Sequence, residues 1–366
     1  MCLYPSGAKM ATTDCDTSAT VADKDSYFDP PTLDASGKFG NPSSFKEWKW
    51  PPTFRDIWNW RQTPSENNVP TDKKELDCFL PMHKPDLLPS KEQATEMRVT
   101  WIGHATVLVQ MDGLTFLTDP IWSHRAGPSL LPFISPTRFR DPPVDIEQLP
   151  QVDFCVVSHN HFDHLDKATV KTLDQRFSPK LKWFVPMGLK TTLEGWGCRN
   201  VQEMTWGEEA GFQVARQSGR WTVACVPAQH WTKRGFRDDF KALWCGWAVL
   251  GPKHRFYYAG DTGFCEGAFK KIGDKYGPFD LAALPIGAYA PRWFMRAQHI
   301  GPEEAVQVHK LVRAKKSLGV HWGTFHMGSK EFYLEPRTKL ADCSKAAGYE
   351  EGEVFTSAHG ETIPIH

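Results

Sequence analysis

A short run of metal-binding residue types, placed directly after an apolar segment, constrains this 366-residue chain more than any other feature. Residues 158–166 read Ser-His-Asn-His-Phe-Asp-His-Leu-Asp and follow the strand-like run VDFCVV. His159 and His161 are separated by a single residue, so in an extended segment both imidazoles point to the same side. Asp163 and His164 come next, and in a turn they point toward a second position. This spacing predicts a site for two metal ions.

Three later residues extend the pattern. His230 follows the apolar run TVACV, Asp261 follows RFYYA, and His321 follows SLGV, so each lies at the end of a predicted strand. We therefore predict two neighbouring sites that share Asp261 as a bridging ligand. The abundance of nitrogen ligands favours zinc, with two ions per chain. The first ion is assigned to His159, His161, His230 and Asp261, and the second to Asp163, His164, Asp261 and His321.

The composition along the chain predicts three parts. Residues 1–40 are rich in Ser, Thr, Asp, Ala and Gly and are expected to form a disordered tail. Residues 41–96 form an aromatic-rich arm, and residues 97–366 form the catalytic domain. Within that domain, alternating strands joined by Asp112-Gly113 predict a hairpin, and strands and helices alternate later. Hairpins followed by βα units, without a long polar linker, indicate one α/β domain whose sheets are covered by helices.

The arm allows two interpretations. Phe54, Ile57 and Trp58 fall on one face of a predicted helical turn, and Trp48 and Trp60 lie close by. In the favoured interpretation, the arm packs on the core of the domain. In the other, the aromatic and basic side chains enter a lipid headgroup layer.

Charge, cysteine content and apolar runs restrict the expected partners and the cellular compartment of the protein. The chain carries 43 basic and 43 acidic residues, and this balance argues against a nucleic-acid partner. Its nine cysteines form no CxxC pair and are odd in number, which favours a reducing, intracellular compartment. The longest apolar run, residues 242–251, is far shorter than the roughly 18 residues that a membrane span needs.

The sequence contains the motif HxHxDH, followed by separate His, Asp and His residues. This pattern resembles the metal-ligand signature of the metallo-β-lactamase superfamily. The segments WIGHATVLV, FLTDPIWS, PRWFM and HWGTF more specifically resemble the N-acylphosphatidylethanolamine-hydrolysing phospholipases D of animals, over residues 101–336. This resemblance implies an αββα sandwich with a dinuclear zinc site. It also implies a homodimer that binds membranes peripherally, on Golgi or endosomal membranes.

The implied reaction is hydrolysis of N-acylphosphatidylethanolamine to an N-acylethanolamine and phosphatidic acid, by attack of a zinc-bridging hydroxide on phosphorus. The family's metal ligands fall on the residues already assigned from spacing, and its substrate contacts fall on Phe162 and His299. Phe162 stands where relatives often have Tyr, and Ala290 stands where an acidic residue is usual. These two departures affect the expected substrate contacts and not the metal ligands.

Other residues are given supporting roles. Asp119, in LTDP, is expected to orient a ligand histidine, and His299 or a water bound to the metals is expected to protonate the leaving group. His104 is either a second orienting residue or a core histidine. Lys233 and Arg234 are expected to meet lipid phosphate. The residues expected to serve catalysis are thus Asp119, Asp163, Asp261 and His299.

Two alternative functions stay open at this point. One is a lactonase or another metallohydrolase that acts on a soluble phosphorylated substrate. The other is a non-catalytic membrane-binding protein that keeps its metals for structure. The aromatic arm and the PRWFM segment favour a lipid substrate over the first, and the complete ligand set disfavours the second.

Overall fold

The computed structural model describes residues 27–49, 51–89, 95–128, 135–213 and 219–366. Its strands are β1 (Thr32–Leu33), β2 (Phe39–Gly40), β3 (Met97–Gly103), β4 (Thr106–Met111), β5 (Leu114–Thr118), β6 (Phe154–Val156), β7 (Lys182–Pro186), β8 (Val201–Met204), β9 (Glu209–Phe212), β10 (Trp221–Val226), β11 (Gly246–Leu250), β12 (Arg255–Tyr258), β13 (Phe279–Pro285), β14 (Ala314–Val320), β15 (Val354–Phe355) and β16 (Thr362–Ile365). Its helices are α1 (Phe54–Gln62), α2 (Lys73–Phe79), α3 (Lys167–Phe177), α4 (Lys190–Gly195), α5 (Glu266–Tyr276), α6 (Arg292–Met295), α7 (Pro302–Leu311) and α8 (Glu335–Ala346).

Two seven-stranded sheets form the centre of the fold. The first has the order β16-β3-β4-β5-β6-β7-β8 and the second β15-β14-β13-β12-β11-β10-β9. Each sheet has antiparallel pairs on one side, formed by hairpins, and parallel pairs on the other side, formed by βα units. The expected αββα sandwich is confirmed.

The first hairpin shows how local chemistry sets the register. β4 pairs with β5 so that Met111 lies opposite Leu114. The two residues between them, Asp112 and Gly113, both have positive φ angles, 48° and 78°. Asp-Gly tolerates this left-handed conformation, which matches the twist of the strands it joins.

Alternation along the buried strands divides the apolar residues between two cores. Val107 and Val109 of β4 face the second sheet, whereas Leu108 between them packs in the core that includes Val170 and Leu173 of α3. A strand covered on both faces therefore reads as a continuous apolar run. Because apolar packing covers both faces of such a strand, polar side chains lie at its ends.

The chain before the domain packs against it from residue 27 onward. Phe28 is buried, and β1 and β2 pair with each other, so the tail predicted to end at residue 40 is too long. The reason is that an isolated large aromatic side chain such as Phe28 reaches the core even from a polar segment. Residues 1–26, the remainder of that predicted tail, lie outside the described residues. The other domain boundaries stay predictions.

The arm combines features of both interpretations. Phe45, Leu76 and Leu80 belong to the main core. Helix α1 begins with a capping box between Thr53 and Asp56, and none of its residues is fully buried. In the described part of the chain, no helix is long and apolar enough to cross a membrane.

Candidate metal centre

The polar residues singled out from the sequence lie at the ends of strands from both sheets. His104 follows β3, Asp119 follows β5, and the segment 158–164 follows β6. From the second sheet, His230 follows β10, Asp261 follows β12 and His321 follows β14. Among these residues, those with positive φ are His104 (52°), Asp119 (33°) and His321 (64°). Non-glycine residues in this conformation are strained, and such strain concentrates at functional sites.

Three imidazoles form one half of the centre. His161 Nδ1 lies 2.8 Å from His159 Nε2 and 3.3 Å from His230 Nε2. Burial lowers the pKa of His159 and of His230 well below the usual range, and it lowers the pKa of His161 to about 4. Neutral rings that direct nitrogen atoms at one point offer lone pairs to a cation. These donors fit a zinc ion.

Asp163, His164 and His321 form the other half. His164 Nε2 and His321 Nε2 are 3.2 Å apart, and Asp163 Oδ2 lies 3.4 Å and 3.6 Å from them, respectively. Burial disfavours the charged form of Asp163, but His164 and further hydrogen-bonding histidines outweigh it and hold the pKa well below the usual range. An ionised carboxylate beside two imidazoles fits a second cation.

Asp261 lies between the two halves. Its Oδ2 is 3.1 Å from His164 Nε2 and 3.9 Å from His159 Nε2, and its Oδ1 is 3.2 Å from His321 Nε2. Burial would raise the pKa of this carboxyl, yet the surrounding histidines hold it well below its usual range. The structure thus brings all the predicted ligands together around the predicted bridging residue. That they bind metal stays a prediction.

Asp119 lies behind both halves and is fully buried. Its carboxylate faces His164 Nδ1 at 2.7 Å and accepts hydrogen bonds from the Ser158 amide and from the Tyr258 hydroxyl, at 2.6 Å and 2.5 Å. The Ser158 hydroxyl also donates to Asp119 and lies 2.9 Å from His159 Nδ1. One carboxylate therefore fixes the ring of a histidine in each half.

His104 contacts the site directly. Its Nε2 lies 2.9 Å from Asp163 Oδ2, and its backbone amide donates to Thr324 Oγ1 at 2.7 Å. Burial, above all, lowers the pKa of His104 to about 3, so the neutral ring donates a hydrogen bond to the carboxylate. Of the two interpretations left open, the structure supports the orienting residue.

A cavity of about 350 Å³ opens onto this centre. His299 and Phe162 line it together with Asp163 and Asp261. His299 Nδ1 lies 3.8 Å from Asp261 Oδ2, and burial lowers the pKa of His299 to about 3. Both predicted substrate contacts therefore reach the cavity that also exposes the carboxylates.

The two basic residues that follow His230, Lys233 and Arg234, have different surroundings. Arg234 places its guanidinium 4.1 Å from the centre of the Phe162 ring and donates to the carbonyl oxygens of Asn160 and Leu165. Lys233 is exposed and does not line the described cavity wall. Arg234 thus supports the loop that carries Phe162, while a contact of Lys233 with substrate stays a prediction.

Ala290, the second departure from the family pattern, lies outside the described wall of this cavity. Its amide donates to Glu331 Oε2 at 3.1 Å, and the amide of Ala288 donates to Glu331 Oε1 at 2.7 Å. A buried carboxylate is thus supplied to this loop from another segment of the chain.

Sequence and structure comparisons agree with this arrangement. Residues 115–322 match the model of the β-lactamase superfamily domain. An N-acyl-phosphatidylethanolamine-hydrolyzing phospholipase D of Caenorhabditis elegans is 49% identical over 84% of this chain and 86% of its own length. This chain belongs to the family of N-acylphosphatidylethanolamine-hydrolysing phospholipases D. It is a metal-dependent hydrolase.

A more distant relative in sequence and a solved structure of similar fold add to this comparison. A mitochondrial phospholipase D of the same description from Saccharomyces cerevisiae is 31% identical over 87% of this chain and 74% of its own length. Among solved structures, a metallo hydrolase from Ignicoccus hospitalis has a TM-score of 0.54 at 24% identity and covers 74% of this chain and 99% of its own. That structure shows the fold alone.

Two residues that hold the predicted ligands in place were missed in the sequence. Tyr258 reads as an ordinary apolar residue at the end of RFYYA, and Ser158 reads as the start of the histidine motif. The available signal was their position: Ser158 directly precedes His159, and Tyr258 ends the strand that leads to Asp261.

Proposed function

We propose that this chain hydrolyses N-acylphosphatidylethanolamine to an N-acylethanolamine and phosphatidic acid with the help of two zinc ions. The observation that carries the proposal is the position of Asp261 between two ligand groups and in the wall of a cavity. The 49% identity to the phospholipase D of C. elegans supports the choice of substrate.

The reaction joins the oxygen of a water molecule to phosphorus and breaks the bond between phosphorus and the ethanolamine oxygen, which leaves with a proton. His159, His161 and His230 would hold one zinc ion, Asp163, His164 and His321 the other, and Asp261 both. Zinc bound by these residues would make a nucleophile available near neutral pH and would neutralise charge that develops on the phosphoryl oxygens.

The chain's own residues position the lipid. His299 is neutral near pH 7, because burial lowers its pKa to about 3, so its imidazole can donate a hydrogen bond to an oxygen of the phosphodiester. Phe162, fixed by Arg234, presents an aromatic ring next to Asp163. Asp119 fixes the ring of His164, and His104 fixes the carboxylate of Asp163.

We also propose peripheral membrane association. Phe54 is 94% exposed and Trp58 is 64% exposed, and both lie on α1 together with the basic residues Arg55 and Arg61. Aromatic and basic side chains together suit the headgroup layer of a bilayer. A homodimer on Golgi or endosomal membranes is proposed from the family resemblance alone.

The test combines metal analysis with two substrates. Purified protein is assayed on vesicles that contain N-acylphosphatidylethanolamine and on the soluble diester bis(4-nitrophenyl) phosphate. We expect two zinc ions per chain and release of N-acylethanolamine, with both sharply reduced in Asp261→Asn and retained in the surface control Asp342→Asn. Hydrolysis of the soluble diester without any release of N-acylethanolamine would overturn the lipid assignment.

A further inference from the structure

One wall of the active-site cavity comes from the arm and not from the catalytic domain. Trp60 of α1 lines the cavity together with His299, although more than 200 residues separate them in the sequence. Its indole stacks on the ring of Phe294, with ring centres 5.6 Å apart and an angle of 18° between the planes. The arm thus contributes an aromatic surface to the mouth of the site.

Several contacts hold Trp60 at this position. The Lys330 ammonium lies 5.1 Å from the centre of the Trp60 ring, and the amide of Glu66 donates to the Lys330 carbonyl at 2.8 Å. Gly328 faces the indole so closely that a Cβ there would come within 3.3 Å of it. The indole therefore lies in a fitted place between Phe294 and the segment 328–330.

The cavity combines charged and apolar lining residues. The carboxylates of Asp163 and Asp261 lie beside His299. The apolar lining residues include Phe294 and Met295, which are consecutive in α6, Met327, and Trp60, which stacks on Phe294. A ligand with a phosphodiester at one end and a hydrocarbon chain at the other matches this combination.

The position of His299 indicates the direction in which the hydrocarbon chain of the ligand runs. Its amide donates to the Met295 carbonyl, so His299 lies one helical turn beyond Phe294 and Met295. If the ethanolamine oxygen lies beside His299, the group attached to the ethanolamine nitrogen passes Met295 and Phe294 and reaches Trp60. In N-acylphosphatidylethanolamine that group is the N-acyl chain.

We propose that Trp60 packs against the N-acyl chain of the substrate and thereby favours long chains over short ones. This inference rests on the proposed function for the identity of the ligand. Trp58 provides a matched control, because it belongs to the same helix but is exposed and does not line the cavity. Its proposed contact with the membrane plays no part in a titration that contains no membrane.

The test measures binding without any turnover. Isothermal titration calorimetry gives dissociation constants for N-dodecanoylethanolamine and N-butanoylethanolamine with the metal-loaded wild type, Trp60→Ala, Trp60→Phe and Trp58→Ala. We expect the preference for the long chain to fall about tenfold in Trp60→Ala, because about two methylene groups lose their contact. Trp60→Phe is expected to restore most of the preference and Trp58→Ala to leave it unchanged.

The outcomes separate the two proposals. An unchanged preference in Trp60→Ala, an equal loss in Trp58→Ala, or no preference in the wild type would overturn the role of Trp60. Loss of the preference in Trp60→Ala, together with a wild type that releases no N-acylethanolamine from vesicles, would overturn the substrate and keep the acyl-binding wall. Hydrolysis of bis(4-nitrophenyl) phosphate, which carries no acyl chain, checks that each variant retains its metal centre.

Discussion

The carboxylate of Asp119 lies 2.7 Å from Nδ1 of His164, and both side chains are fully buried. The proton between them resides on the imidazole when the other ring nitrogen, Nε2, binds a metal. The same carboxylate reaches His159 through the hydroxyl of Ser158. Asp119 therefore orients ligands in both halves of the centre at once.

We expect Asp119→Asn to lose metal from both halves. An amide cannot accept from the Ser158 amide, the Ser158 hydroxyl, the Tyr258 hydroxyl and His164 in the way a carboxylate does, so both histidines lose their fixed orientation. Affinity for zinc should fall by about 10- to 100-fold, measured by competition with a fluorescent chelator. Asp342→Asn, at an exposed position, is the control. An unchanged affinity in Asp119→Asn would contradict this role.

His104 allows a separate test, because its backbone and its ring have different tasks. The residue has a φ of 52°, a conformation that asparagine tolerates better than most residues. His104→Asn therefore keeps the backbone turn while removing the Nε2 atom that contacts Asp163. We expect about tenfold weaker zinc binding or more, by the same chelator titration. His83→Gln removes an exposed imidazole as the control, and equal affinities in the two variants would sink the orienting role.

Sequence spacing located the predicted ligands because the constraint on them is local. His159, His161, Asp163 and His164 lie in one loop, and the later ligands each end an apolar run. Strands that run in the same direction end at the same edge of their sheet, so strand position predicts which ligands of one sheet lie close together. That the ligand groups of the two sheets meet is seen only in the structure, where His164 Nε2 lies 3.1 Å from Asp261 Oδ2. The alternation of strands and helices predicted one α/β domain with covered sheets, and the αββα sandwich was implied by the family resemblance.

Contacts between segments that are far apart in the sequence could not be predicted from local spacing. Trp60 gives no local sign that it lines the cavity, because its partner Phe294 lies in another element and only the tertiary fold brings them together. Tyr258 reads as a core residue, and its hydroxyl gains a role only through Asp119. Phe28 was assigned to a tail because a single aromatic residue does not change the composition of its segment.

Gly260, immediately before Asp261, is expected to tolerate no side chain. It has a φ of 63°, and a Cβ there would lie 2.7 Å from Ser158 Cβ and 2.8 Å from the Cys245 carbonyl oxygen. Gly260→Ala should lower the free energy of unfolding by about 2–4 kcal/mol, through backbone strain and overpacking, as measured by urea denaturation.

Gly267 in α5 is the matched control for that substitution. An added Cβ there meets no described atom within 4 Å, and alanine is the better helix former. Gly267→Ala should change stability by zero to about 1 kcal/mol in the favourable direction. Equal effects of the two substitutions would show that the close contacts of Gly260 are relieved by local movement.

The last prediction concerns His359, which is buried against Trp101 and lies 3.1 Å from Thr324 Oγ1. Burial, reinforced by Arg140 and Arg138, lowers the pKa of His359 well below 6.5. Below about pH 6.5 the unfolded chain therefore binds a proton that the folded chain does not, and the free energy of unfolding falls as pH falls. Because the unfolded histidine is already half protonated at pH 6.5, this one group contributes about 1 kcal/mol between pH 6.5 and 5.5. In His359→Gln, urea denaturation between pH 6.5 and 5.5 should show a slope shallower by about that amount, since the other buried histidines are common to both proteins. Identical slopes would mean that His359 becomes protonated within the folded state.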